Sequence, residues 1–365
     1  MMRLQKMMLV AAVAGTFTAC KKDENPIIIV PPSNGSQVEL SGLVGNEGAA
    51  GGSAAGNSVY LDLSADKQTT ALRLGWDLGF YCTSDFRVIL NNTTSAGAKV
   101  LTSNDITAVS AADTIGLTLA TSQTNPLPEQ LVWFDNVAGD MTKTVIPAVS
   151  ATDADNKVII LNRGTVGATP ARPWVKLRVL RNTTGGYTLQ YAGIQETTFK
   201  TLQIPKDAAY HFKYVSFENG IVSGQPEKEK WDLVWSYSVF ETNFGAGQVP
   251  YNFSDLIAVN HLAGVTVAQK KYDFTTDAAI NAAVAAAAFN AFNKDSVNKT
   301  TLVNSRWAIG SSWRSTQPAT GARLDRFYII KDATGNYYKL KCLSMGVGAD
   351  GGTRGKPVFK YTLIN

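Results

Sequence analysis

A chain of 365 residues is long enough for one large domain or two of moderate size, and 34 basic against 29 acidic side chains give a formal charge of +5, too balanced to imply a nucleic-acid partner. With 45% hydrophobic and 17% charged residues, the composition is that of an ordinary globular protein. Three cysteines and two histidines without a CxxC or HxxxH spacing argue against a metal site built from those residues.

Residues 1–19 carry Arg3 and Lys6, the apolar run LVAAVAG and the small-residue approach FTA to Cys20. This is the pattern of a lipoprotein export signal, removed so that Cys20 becomes the acylated N-terminus. The apolar run is shorter than the roughly 20 residues that span a bilayer, so the chain is expected to be anchored by lipid rather than to cross. The following CKKDE resembles the short charged tag that routes some Gram-negative lipoproteins to the exterior face of the outer membrane. Residues 20–40, with NPIIIVPPSNGS, read as a flexible tether in which IIIV could instead be an edge strand. Without Arg3 and Lys6, 32 of the 34 basic residues face 29 acids.

Strand signals dominate the rest. VYLDLS (59–64), WDLGFYC (76–82), FRVIL (86–90), WVKLRVL (174–180), YTLQYAGI (187–194), FKYVSF (212–217), WDLVWSYSVF (231–240), DRFYIIK (325–331), YYKLKCLS (337–344) and VFKYTL (358–363) are rich in aromatic and β-branched residues, with turn clusters such as NTTGG and DATGN between them. The predicted class is mostly β, built of antiparallel sheets. In WVKLRVL, Val175, Leu177 and Val179 alternate with Lys176 and Arg178, which predicts a sheet with one wet face. The exception is the Ala-rich segment 277–293, which predicts one helix, capped by Thr276 or Asp277, with an apolar stripe of Ile280, Val284 and Phe289 or Phe292 packing on a sheet.

The tryptophans expose an internal repeat. Trp76-Asp77-Leu78 lies 15 residues after a strand centred on Leu61, and Trp231-Asp232-Leu233 lies 16 after one centred on Val215. A Thr-Gly hairpin then follows each, with Gly185 109 residues beyond Trp76 and Gly335 104 beyond Trp231. This predicts two similar modules, an N-terminal one over 41–200 and a C-terminal one over 201–365. Cys82 and Cys342, the thiols left besides Cys20, are either a disulfide formed outside the cytoplasm or two separate buried thiols.

The C-terminal half, through AYHFKYVSF, KWDLVWSY, VPYNFSDLIAVN, IGSSWR, LDRFYIIKDATGNYYKLKCLS and RGKPVFKYTL, resembles the HmuY family of outer-membrane lipoproteins, with NSVYLDLS and WDLGFY fitting the family's opening strands. The resemblance implies an all-β or nearly all-β fold, haem bound at the cell surface and its transfer to an outer-membrane receptor. It implies axial ligands of the His or Met type. The mature chain offers His211, His261, Met141 and Met345. His261, in the loop-like SDLIAVNHLAGV, is the leading candidate ligand, with Met345 and Met141 beside it, whereas His211 sits among strand aromatics and reads as structural. Lys339, Arg354 and Lys356 are candidates for the propionates. No metal other than haem iron is expected.

No enzyme activity is implied. IGSSWR lacks the second glycine of a GxSxG elbow, and the Gly-rich GNEGAAGGSAAGN has no following Lys-Ser or Lys-Thr of a phosphate loop. The alternative to haem is a glycan- or protein-binding surface, for which Trp133, Trp235, Trp307 and Trp313 could supply exposed rings. An apolar crevice beside His261 would favour haem; a row of exposed rings would favour glycan.

Overall fold

In the computed structural model, residues 30–44, 54–166, 170–245, 247–272 and 278–365 are described. The export signal, Cys20, the KKDE tag, most of the Gly-rich loop and the helix-capping Thr276 and Asp277 lie outside them. All strand pairs are antiparallel, and all ten segments singled out for their aromatic and β-branched content contain a strand. The chain is mostly β.

Four sheets pack as two sandwiches. In the first, Lys200–Ile204, Tyr187–Gly193, Val175–Arg181, Ile159–Asn162 and Gly97–Val100 form a sheet that faces Gly220–Val222, Phe212–Ser216, Leu78–Tyr81 and Val88–Leu90. Leu78, Phe80, Leu177, Tyr187, Leu189 and Val215 fill the space between. In the second, Gln37–Glu39, Val358–Leu363, Tyr337–Ser344, Arg326–Lys331 and Thr266–Lys271 face Gln248–Val259, Leu233–Asn243, Asn57–Asp62 and Lys67–Leu72 across Leu61, Leu233, Trp235, Trp313, Tyr338 and Phe359. The inward residues alternate along each strand as period-two patterning requires.

The repeat is visible in backbone hydrogen bonds. Asp77 N donates to Val215 O at 2.7 Å and Asp232 N to Leu61 O at 2.8 Å. The Asp77 carboxylate accepts from Phe217 N at 3.0 Å, and that of Asp232 from Leu63 N at 2.8 Å. Asn91 Nδ2 donates to the carbonyls of Arg73 and Trp76, and Asn260 Nδ2 to those of Lys228 and Trp231, all within 2.8 Å. At the hairpins, Asn182 Oδ1 accepts from Thr184 N and Gly186 N, and Asp332 Oδ1 from Thr334 N and Asn336 N. Gly185 and Gly335 hold the left-handed turn position, with φ of 84° and 97°.

The partners are exchanged between the copies. Asn57–Asp62, in the first copy by sequence, pairs with Leu233, Val234 and Trp235 of the second, while Phe212–Ser216 pairs with Leu78–Tyr81 of the first. The expected boundary near residue 200 thus separates two runs of the same strand order rather than two bodies in space. Residues 32–365 are one compact unit.

Two local expectations are corrected, and the alternative left open for the two thiols is decided. Lys176 is buried, because the segment around Val109 covers that face of the sheet and takes the ammonium on its carbonyl at 2.5 Å, so WVKLRVL has no continuous wet face. The Ala-rich segment forms Ala278–Ala291, followed by a short helix Lys294–Val297; Phe289 and Phe292 meet Phe327 edge-on at 5.4 and 5.7 Å, but Val284 is 45% exposed and leaves the stripe. Cys82 and Cys342 are free thiols in different sandwiches, Cys342 in the second core and Cys82 half-buried with its Sγ near Phe80 O at 3.5 Å.

The two motif aspartates are compensated differently. Asp77 is paired by Arg163 at 2.8 Å and Arg172 at 3.0 Å. Asp232 faces Asp332 and Asp62 instead, and burial pushes its carboxyl up to about 7. Asp77→Asn is expected to destabilise by about 3 kcal/mol, because buried guanidinium groups lose their counter-charge. For Asp232 the folded carboxyl holds its proton to higher pH than the unfolded one, so stability falls as pH rises from about 4 to 7 and stays low above. Asp232→Asn removes that loss and is expected to raise the urea midpoint at pH 8 relative to wild type. Denaturation at pH 5 and pH 8 checks both; a midpoint for Asp232→Asn below wild type at pH 8 contradicts the assignment.

Candidate functional site

Between the sandwiches, the duplicated framework brings two ring pairs to the walls of one crevice. Tyr60 meets Trp231 edge-on at 5.1 Å, and its counterpart Tyr214 meets Trp76 at 4.6 Å. Each pair joins a ring from one copy's first hairpin to the tryptophan of the other copy's motif, so the hairpin exchange builds the walls. Ile89, Phe134, Phe212, Val239, Leu256 and Leu262 add apolar surface. The crevice encloses about 140 Å³ of space open to water-sized spheres, room for on the order of ten water molecules.

A loop over 134–144 lids one side. Asp135 accepts Leu90 N at 2.7 Å and Val145 N at 2.8 Å, and burial pushes its carboxyl up to about 6. Trp307 Nε1 donates to Val137 O at 2.5 Å, tying the loop to the second copy. Gly139 takes φ of 82°, and a Cβ there would lie 2.8 Å from the His261 ring. Met141, two residues on, packs with Leu262 against Trp76, Phe212 and Tyr214.

Both histidines and Met141 line this crevice. Their separation in sequence concealed this, since 119 residues lie between Met141 and His261. His211 is buried, and its Nε2 donates to Asn260 Oδ1 at 3.0 Å, a role fixed because Asn260 Nδ2 gives its protons to two carbonyls. Burial pushes its pKa down to about 4. His261 is half-buried, with Nδ1 3.4 Å from Val259 O and Nε2 3.4 Å from Gly139 O. Burial, and then the charge of Arg306, push its pKa down, so the ring is neutral and only one nitrogen carries a proton. One of its two carbonyl contacts therefore sets a nitrogen lone pair against an oxygen.

The other expected site residues lie elsewhere. Met345 is fully buried in the second core, where it serves packing. Lys339 donates to the carbonyls of Asn290 and Phe292, Arg354 pairs with Asp255 at 2.6 Å, and Lys356 lies 3.7 Å from Glu39. None of the four lines the crevice. The basic group that does is Arg306, unmarked in sequence because it sits in an irregular stretch with no period and no neighbouring His or Met. Trp235 and Trp313 are core residues, Trp133 packs on the small core around Ile106 and Val109, and Trp307 is half-buried over the loop, so none of these rings forms an exposed row.

The His211 geometry yields a pH test. Its folded pKa of about 4 lies below the ordinary 6.5, so the unfolded chain binds more protons between those values and this group's share of stability falls as pH drops from 6.5 to 4, by on the order of 3 kcal/mol. His211→Gln, which can still donate to Asn260, is expected to be less sensitive than wild type over that window in urea denaturation. Parallel curves for the two proteins would rule out the assignment.

A search of curated proteins and a search of solved structures each returned no match. The family described as HmuY protein matches residues 208–361, which span the second copy from the exchanged hairpin through the strand Val358–Leu363 and include His211, His261 and Arg306. Over residues 208–361 the chain is therefore similar to the HmuY family.

Proposed function

We propose that this is an outer-membrane lipoprotein, displayed on the cell exterior through an acylated Cys20, that binds haem or a related porphyrin in the crevice between the sandwiches and passes it to an outer-membrane receptor. The observation that carries the reading is the convergence of His261 and Met141, a nitrogen and a sulfur donor, on one aromatic-walled crevice. An apolar slot with such donors suits a macrocycle with iron at its centre. Neutral His261 keeps a lone pair available without first losing a proton. Its most direct role is as an axial ligand, with Met141 as the second donor on the loop.

A porphyrin is larger than the void between the walls, so entry requires displacement of the loop around Gly139 and Met141. The long His261–Gly139 contact is a weak restraint on that movement, whereas the Trp307–Val137 hydrogen bond is a strong one. His211 serves the framework: its proton is committed to Asn260, whose amide fastens the turn before the second motif tryptophan. The haem reading is favoured over a glycan platform because Trp133, Trp235, Trp307 and Trp313 form no exposed row.

Titration of purified protein with ferric haem is expected to give a saturable Soret shift. His261→Ala weakens binding by at least about tenfold, Met141→Leu alters the ligand-field bands with a smaller loss, and His211→Ala acts mainly on folding stability. Absence of a saturable shift, or His261→Ala binding as wild type does, overturns the proposal. For the anchor, Cys20→Ser is expected to abolish membrane partition in fractionated cells; wild-type partition by that variant contradicts it.

A further inference from the structure

The crevice has a polar end whose donors outnumber its acceptors. Tyr60 hydroxyl donates to Gly224 O at 3.1 Å, and Tyr214 hydroxyl donates to Gln225 Oε1 at 3.1 Å. Of the two carboxylates lining the crevice, Asp135 spends both oxygens on backbone N–H groups, and Asp140 accepts from Thr142 and pairs with Lys143. Three donors are left over. Trp231 Nε1 and Gln225 Nε2 are buried without a hydrogen-bond partner, on side chains that are 8% and 6% exposed. The Arg306 guanidinium makes no ion pair or hydrogen bond among the described residues; its Cζ lies 5.0 Å from the centroid of the Trp307 ring.

These groups share one place. Arg306, Trp231, Gln225, Tyr60, Tyr214 and His261 all line the same crevice. Its Cδ would lie 3.2 Å from a Cβ on Gly139, beside the His261 ring. Trp231 packs on Tyr60, and Gln225 is bonded to Tyr214. An indole and a guanidinium can only donate, so no reassignment of protons satisfies them from within. Leaving buried donors unmade is costly, and a partner that brings acceptor oxygens removes the cost.

We propose that Arg306, Trp231 and Gln225 form an anion-receiving end of the crevice that holds a carboxylate of the bound ring compound next to His261. This rests on the reading of the crevice as a cargo site and adds the acid group that the cargo must carry. The planar guanidinium suits the two oxygens of a carboxylate, and the apolar walls suit the ring attached to it. An esterified or otherwise neutral ring would bury the same surface but leave the donors unpaired.

The test uses metal-free protoporphyrin IX and its dimethyl ester, titrated by quenching of tryptophan fluorescence, so that iron ligation plays no part. Wild type is expected to bind the diacid at least about tenfold more tightly than the diester, the scale of a hydrogen bond to a charged group. Arg306→Met erases that preference, Arg306→Lys restores part of it, and Trp231→Phe, which keeps the ring and removes the N–H, reduces it a few-fold. Unchanged thermal midpoints for the variants show that folding is intact; a variant that has lost its fold is replaced in the comparison by Arg306→Lys and the wild-type diacid-to-diester ratio. Equal binding of diacid and diester by wild type, or a preference that survives Arg306→Met, overturns the proposal. Should neither porphyrin bind, the haem reading is decided by the ferric haem titration and 8-anilinonaphthalene-1-sulfonate decides the anion site: enhanced fluorescence in wild type that is lost in Arg306→Met sustains it, and no enhancement in wild type overturns it.

Discussion

The structure depends on one clasp made twice. A buried motif aspartate donates its backbone N–H to a strand of the other copy and accepts, on its carboxylate, the N–H two residues further along that strand. Charge or dipole at a buried carboxylate strengthens such bonds, and each clasp fixes the register of a strand arriving from the other half of the chain. The exchange makes the two halves interdependent. Neither sandwich is complete without a hairpin from the other copy, and the Tyr–Trp pairs on the crevice walls exist only because the hairpins are exchanged.

The same motif is solved electrostatically in two ways. The first copy surrounds Asp77 with Arg163 and Arg172, while the second leaves Asp232 among carboxylates and raises its affinity for a proton. The first solution holds charge in place; the second leaves a group that titrates near neutrality in a framework position. The crevice shows a related division of labour. His211, closest to the framework, has its proton committed to Asn260, whereas His261 has only long carbonyl contacts and a neutral ring, and so is the histidine free to act on a ligand.

Much of the fold was legible in sequence, since the aromatic and β-branched runs, the paired WDL motifs and the Gly turns state local geometry directly. What local pattern leaves open is which partner a strand takes. Tyr60 and Tyr214 occupy equivalent positions, so pairing within a copy or across copies satisfies the same pattern. Gln248–Val259 was harder to read as one long strand because Pro250 interrupts it and Asp255, with φ of 57°, places a bulge opposite Tyr237. At the site, His261 and Met141 were legible as donor types, but only the fold brings them together. Met345 was misleading because a methionine at a strand end serves packing as readily as ligation. Arg306 carried no signal, since an arginine in an irregular stretch resembles any surface base until its surroundings are known.

The central claim is that the crevice between the sandwiches, closed by the loop over 134–144, is where the cargo binds. Amide hydrogen exchange of the protein with and without ferric haem tests it most directly. The account predicts new protection concentrated at residues 136–141 and 259–262, with little change around Met345 or in the hairpin turns at Gly185 and Gly335. Protection centred on residues 343–356, or no protection in the loop on haem addition, would contradict it.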